Sequence, residues 1–223
     1  MTTRVKIQSV EMPSALSASI QSHHDAIENA WRNKPLTTFN GPLLHCLGVQ
    51  KTKSDIIFKT TTVQYKHYFA QCAHHVPLAL IPLSVSGLTF FHQNGDFHIL
   101  VGTRSEQVQT YPGYIETVPS GTLDHGDFFL KVCEELEEEA KIPSQNVIKL
   151  DYLGFHQDTI GQIYDICICI EIIPPLELAL PASSEYNDLQ FLRIEDIMKI
   201  FDSQQKIVPT SKVLLKMFMD RND

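Results

Sequence analysis

The sequence predicts an α/β fold in which a mixed β-sheet lies between helices, preceded by an N-terminal helix-strand extension. Three observations carry that expectation. Strand-patterned and helix-patterned segments alternate along the 223 residues without a regular βαβ beat. Two apolar segments, Leu88 to Phe91 and Phe97 to Val101, flank Gln93-Asn94-Gly95-Asp96, and an Asn-Gly pair between apolar runs is the strongest short hairpin signal. A long amphipathic segment, Phe128 to Ile142, follows Asp127, a residue suited to cap a helix N-terminus.

From the N-terminus, Leu16, Ile20, Ile27 and Trp31 share one helical face between Pro13 and Pro35, which predicts a single helix. Asn40-Gly41-Pro42 forces a turn before a strand over Leu43 to Val49. Ile56 to Phe58 reads as a short strand, and Val63 to Cys72 as a helix ending near His74-His75. The pattern changes at Val76, so residues 1–75 are expected to form an extension or subdomain and 76–223 the main domain. After the hairpin and the Glu-rich helix come strands near Val147 to His156 and Ile163 to Ile173, then a loop over 174–187. Helices over Ile194 to Phe201 and Ser211 to Met219 close the chain.

Composition excludes several function classes. Hydrophobic residues at 43% and charged residues at 20% are globular values that exclude disorder as the main state. A formal charge of −8 opposes binding to a nucleic-acid backbone or an anionic membrane, so a phosphate-rich ligand needs a local cation. The longest apolar run, Val76 to Phe91, is too short to span a membrane and holds Pro77 and Pro82. No signal-peptide core begins the chain, and a cytoplasmic location is expected. Five cysteines without a C-x-x-C pair suggest neither a disulfide framework nor a structural zinc site. Cys167 and Cys169 stand at strand spacing and are expected to share one buried face.

The densest chemical feature is Glu134-Glu135-Leu136-Glu137-Glu138-Glu139. At about 100° per residue, Glu135, Glu138 and Glu139 fall within an arc of roughly 60–100° beside an apolar arc of Phe129, Val132, Cys133, Leu136 and Ala140. Carboxylates at i, i+3 and i+4 repel one another unless a cation sits between them, and oxygen-only ligands suit Mg²⁺ or Mn²⁺. A solvated acidic helix face is the competing reading. The turn-rich loop Pro119 to Asp127 leads directly into this helix, and loop-then-helix is how backbone N–H groups approach phosphate oxygens.

Together, Gly121 to Ile142 resembles the Nudix box, G-x5-E-x7-R-E-U-x-E-E-x-G-U, where U is bulky and aliphatic. Gly121 matches the first glycine, and Asp127 stands for the first Glu. Six residues rather than seven separate Asp127 from Glu134, which occupies the position of the Arg. Glu135, Leu136, Glu138, Glu139 and Ile142 match in register, and Lys141 replaces the late glycine. Leu100 to Ser105, Tyr111-Pro112-Gly113 and Glu116 to Gly121 are similar to the family's approach to the box, and Tyr152 to Ile173 to its following strands. Trp31 and Phe39 to Pro42 are similar to the leader of the branch that hydrolyses UDP-sugars.

The resemblance implies a Nudix-type α/β/α sandwich and a Mg²⁺- or Mn²⁺-dependent pyrophosphohydrolase acting on a nucleoside diphosphate linked to another moiety, with a nucleotide sugar as the favoured class. It implies Glu135, Glu138 and Glu139 as metal ligands and Glu138 and Glu135 as catalytic carboxylates, with Glu185 as a base from outside the box. Arg104 and Gly121 are the expected substrate-binding residues, and Lys131 or Arg104 the substitutes for the box Arg. Many members dimerise, so a homodimer is one expected assembly. The alternative is a catalytically impaired Nudix-fold module that binds a nucleotide or a protein. No P-loop, dinucleotide fingerprint or H-E-x-x-H motif competes.

Overall fold

A computed structural model describes residues 4–35, 38–108, 110–176, 179–180, 182–203 and 206–222, with the side chain of residue 222 left aside. The chain divides into two compact units. One comprises Met1–Leu83, Thr122–Asp127 and Gln162–Tyr164; the other comprises Ser84–Gly121, Phe128–Gly161 and Asp165–Asp223.

The first unit begins with β1 (Arg4–Ser9), α1 (Ser14–Ser22) and α2 (His24–Arg32). The single helix expected between Pro13 and Pro35 is broken at His23 (φ −103°, ψ 14°), whose backbone N–H and ring Nδ1–H both donate to Ser19 O, at 3.2 and 2.8 Å. β2 (Pro42–Lys51) and β3 (Asp55–Gln64) pair antiparallel, and β1 joins β3 in parallel. β3 outruns the predicted Ile56 to Phe58 because Thr60, Thr61, Thr62 and Val63 are β-branched residues that fit a pleated surface. The helix expected from Val63 therefore starts later, as α3 (Tyr65–His74), and ends at His75 in the left-handed region (φ 55°). Ile27, Leu43, Val63, Tyr68, Leu78 and Leu80 form this unit's core. Trp31 meets Phe69 and Tyr65 edge-on, with ring centroids 5.6 and 6.4 Å away.

The second unit is built on a sheet of order β10-β11-β5-β4-β9-β8, eight strands among the described residues once β6 on β5 and β7 on β4 are added. The strands are β4 (Leu83–Gln93), β5 (Asp96–Arg104), β6 (Ile115–Thr117), β7 (Ser120–Thr122), β8 (Val147–Asp158), β9 (Ile163–Ile172), β10 (Ala179–Leu180) and β11 (Tyr186–Arg193). The β4–β5 hairpin turns at Asn94-Gly95, both at positive φ, with Gln93 opposite Asp96. β4 starts five residues before the predicted Leu88 because Ser84 and Ser86, polar in the sequence, bury their hydroxyls on a carboxylate.

That carboxylate is Asp165, which accepts from Ser84 Oγ, from Ser86 Oγ at 3.1 Å and from Thr210 Oγ1 at 2.6 Å. The predicted loop over 174–187 lies partly outside the described residues, and its end is the strand β11. A bulge between Tyr186 and Asp188 breaks the alternation that would have marked this strand. The helices are α4 (Phe128–Ala140), α5 (Ile194–Asp202) and α6 (Pro209–Asn222). Leu88, Phe90, Ile99 and Val101 pack with Cys167 and Cys169 and with Leu214 and Phe218 of α6, while Ile166, Ile168 and Ile170 are buried at the alternate positions. Both sheet faces are thus covered, as a sheet between helices requires. No described helix is long and apolar enough to cross a membrane.

Candidate active site

The acidic residues of α4 divide by burial. Phe128, Val132, Leu136 and Ala140 form the buried stripe, and Glu139 lies within it, only 3% exposed. The expected apolar arc is thereby corrected: Phe128 takes the position assigned to Phe129, and Phe129 and Cys133 are half-buried. Glu134, Glu137 and Glu138 face solvent, and Glu135 is mostly covered.

Glu139 Oε2 accepts the Ser120 N–H of β7 at 3.2 Å, whereas its buried Oε1 has no hydrogen-bond partner. A buried acceptor left unmatched is costly. Burial, then the carboxylates of Glu185, Glu116 and Glu135, raise the Glu139 pKa well above the ordinary 4.5. Glu135 is raised by burial, with Lys131 opposing and Glu138 and Glu185 adding to the shift. Lys131 Nζ lies 2.8 Å from Glu135 Oε1, and the two side chains are only 15% and 12% exposed. A Cβ on Gly121 would fall inside the Glu135 carboxyl, so the first glycine of the box is where the backbone makes room for a box acid.

Two further carboxylates complete the cluster. Glu116 of β6 is 6% exposed, is ion-paired with Arg104 Nη1, and accepts the Tyr186 hydroxyl at 2.9 Å. Gly102 permits this, since a Cβ there would stand 2.5 Å from Tyr186 Cδ1. Arg104 is buried, at 8% exposure, and its Nε donates to Thr110 O at 3.0 Å. Burial works against its charge, but Glu116, Tyr186 and Glu185 more than offset this and hold its pKa above the ordinary value. Glu185 is held by its carbonyl, which accepts the Ser105 N–H at 2.7 Å. Burial raises its pKa; Arg104 opposes the shift, and Glu116 and Glu138 add to it.

Glu116, Glu135, Glu138, Glu139 and Glu185 are therefore one electrostatic group, with the buried Arg104 and the partly covered Lys131 as cations among them. Glu116 entered the sequence reading only as the first residue of the Glu116 to Gly121 approach to the box, with no role of its own. Lys131 and Glu135, four residues apart on one helix, were readable as a pair. Elsewhere, Tyr111, at positive φ (54°), donates its hydroxyl to Asp158 Oδ2 at 2.5 Å, and His125 Nδ1 accepts the Asp127 N–H at 3.2 Å within its own turn.

The residues present fit a cation. The groups acting on Glu139 beside its unmatched Oε1 are the carboxylates of Glu185, Glu116 and Glu135, oxygen donors of the kind a hard cation takes. As the side chains stand, no three described His, Cys, Asp or Glu residues are gathered closely enough to hold a metal ion.

No family model matches the chain, and no curated protein does. Solved structures do. The NUDIX domain of Shewanella oneidensis NrtR complexed with ADP ribose superposes with a TM-score of 0.50 at 15% identity, covering 63% of this chain and 88% of that one. A NUDIX hydrolase from Alicyclobacillus acidocaldarius superposes with a TM-score of 0.50 at 12% identity, covering 61% of this chain and 90% of that one. These likenesses show that the fold of this chain is the Nudix fold.

Proposed function

We propose that this protein is a Mg²⁺- or Mn²⁺-dependent pyrophosphohydrolase that cleaves a nucleoside diphosphate linked to another moiety, with residues 76–223 as the Nudix domain and 1–75 as an N-terminal subdomain. The observation that carries this reading is the buried, unmatched Oε1 of Glu139, on which the carboxylates of Glu185, Glu116 and Glu135 act. An apolar partner would leave that oxygen unsatisfied, whereas a divalent cation would satisfy it and offset the repulsion between the carboxylates.

Glu135, Glu138 and Glu139 are the residues that would hold the cation. When bound, it supplies charge neutralisation at the phosphoryl oxygens and lowers the pKa of an attacking water. Glu138, on the solvent face of α4, would be the carboxylate placed to take a proton from an attacking water, and Glu135 would share the catalytic role. Gly121 keeps the backbone low beneath Glu135, so that a diphosphate can approach. Arg104 is the cation that a substrate phosphate would meet, by exchanging its Glu116 partner for phosphate.

For substrate class, the leader resemblance favours a nucleotide sugar, and the complexed ligand of the NrtR domain adds ADP-ribose. The test is phosphate release, after phosphatase coupling, from UDP-sugars, ADP-ribose, dinucleoside polyphosphates and nucleoside triphosphates with Mg²⁺. Wild type turns over at least one class and Glu139→Gln none; absence of turnover on every class refutes the enzyme reading.

The second reading, a Nudix-fold module binding a nucleotide or a protein, draws on the Lys131–Glu135 pair, which ties up one of the expected ligands. It predicts Mg²⁺-dependent thermal stabilisation by a nucleotide without turnover.

A further inference from the structure

We infer that Lys131 is a tethered cation that competes with a divalent ion for Glu135, so that loading the site requires the ammonium to leave. The inference rests on the cation site proposed above and concerns its regulation by this chain's own side chain. At about 100° per residue, Lys131 lies roughly 40° from Glu135 and 20° from Glu138, inside the arc that the three box acids span. Its Nζ is 2.8 Å from Glu135 Oε1 with both side chains largely covered, so the pair is an internal ion pair rather than a solvated surface contact.

The same carboxyl is wedged over Gly121, which restricts where it can turn. Glu139 Oε1 meanwhile stays unmatched, and among the described residues no three acids converge on one point. The arrangement is thus organised around an ammonium at Glu135, with the remaining buried oxygen unserved. A second, divalent charge at the same carboxylate would repel the ammonium strongly in this poorly solvated place. Lysine suits the exchange, because its compact charge sits on a flexible four-carbon stem that can swing out.

The test is Mn²⁺ binding to the full chain by calorimetry and electron paramagnetic resonance, with no nucleotide present. Lys131→Met and Lys131→Gln are expected to bind Mn²⁺ about tenfold more tightly than wild type, and Lys131→Arg no more tightly. In chelator, the neutral variants should melt below wild type, yet gain more from Mn²⁺. Lys141→Met, which removes the same charge just past α4, controls for net charge and should shift affinity much less.

Equal or weaker binding by both neutral variants, with Glu139-dependent binding retained in wild type, overturns the inference and leaves the cation site standing. An equal gain in Lys141→Met also overturns it, since net charge then explains the effect. No Glu139-dependent binding in any form overturns the cation site itself, and the inference with it. If one neutral variant does not fold, the other decides.

Discussion

Replacing Glu139 by Gln should change how stability depends on pH. In the fold, burial and then Glu185, Glu116 and Glu135 hold the Glu139 pKa well above 4.5, and unfolding releases it to its ordinary value. The folded state therefore binds this proton more tightly than the unfolded state. The stabilisation is complete below the unfolded pKa and is lost as pH rises toward and through the raised folded pKa. Each pH unit over which the fold keeps a proton that the unfolded chain has lost costs about 1.4 kcal/mol.

Gln is close to isosteric, can keep its oxygen on the Ser120 N–H, and has no proton to lose. Urea unfolding in chelator at pH 5, 6 and 7 should show Glu139→Gln gaining on wild type by as much as about 2.7 kcal/mol across that interval. Mn²⁺ should restore wild type at pH 7 and leave the variant unchanged. Parallel stability curves for the two proteins would refute the reasoning, because Glu139 would then titrate in the fold as it does in water.

Three further predictions follow from single residues. Asp165→Ala should destabilise by about 3 kcal/mol or more, read by chemical denaturation, because it strands three buried hydroxyls, and Asp165→Asn should recover part of the loss. Lys141 ends α4 at φ 58° while its Nζ donates to Glu138 O at 2.9 Å, so Lys141→Gly removes about 1 kcal/mol of backbone strain against a few tenths lost at the helix end; the melting temperature should rise by about 2 °C. Gly121→Ala places a Cβ inside the Glu135 carboxyl and should weaken Mn²⁺ binding tenfold or more; unchanged affinity would show that Glu135 is not a ligand.

What could be read from the sequence was local. The Asn94-Gly95 hairpin needs only positive φ at two adjacent residues, and the alternation of Cys167 and Cys169 only the period of a strand. The three acids of α4 were visible through their spacing, and the box resemblance singled out Gly121; its close approach to Glu135 needed the folded chain. Hidden features depend on partners distant in the chain. β1 exists by pairing in parallel with β3, some 50 residues on, and β11 carries a bulge that scrambles its period.

Glu116, Asp165 and Tyr186 gain their roles only when strands bring them to Arg104, to Ser84 and Ser86, and to Glu116. The depth of Glu139 depended on which neighbours cover α4, which shifts the buried stripe from Phe129 to Phe128. Lys131 was legible as an i,i+4 partner, but its covered setting, which turns an ordinary helix pair into a cation within the site, was not.

The proposed function stands on a divalent-cation site organised on the buried Glu139. A crystal soaked in Mn²⁺ and measured at the manganese absorption edge tests it most directly. An anomalous peak is expected within about 2.3 Å of Glu139 Oε1, accompanied by Glu138 or Glu135 and absent from Glu139→Gln. A crystal without a peak at Glu139, or with Mn²⁺ bound only to the exposed Glu134 and Glu137, would contradict it.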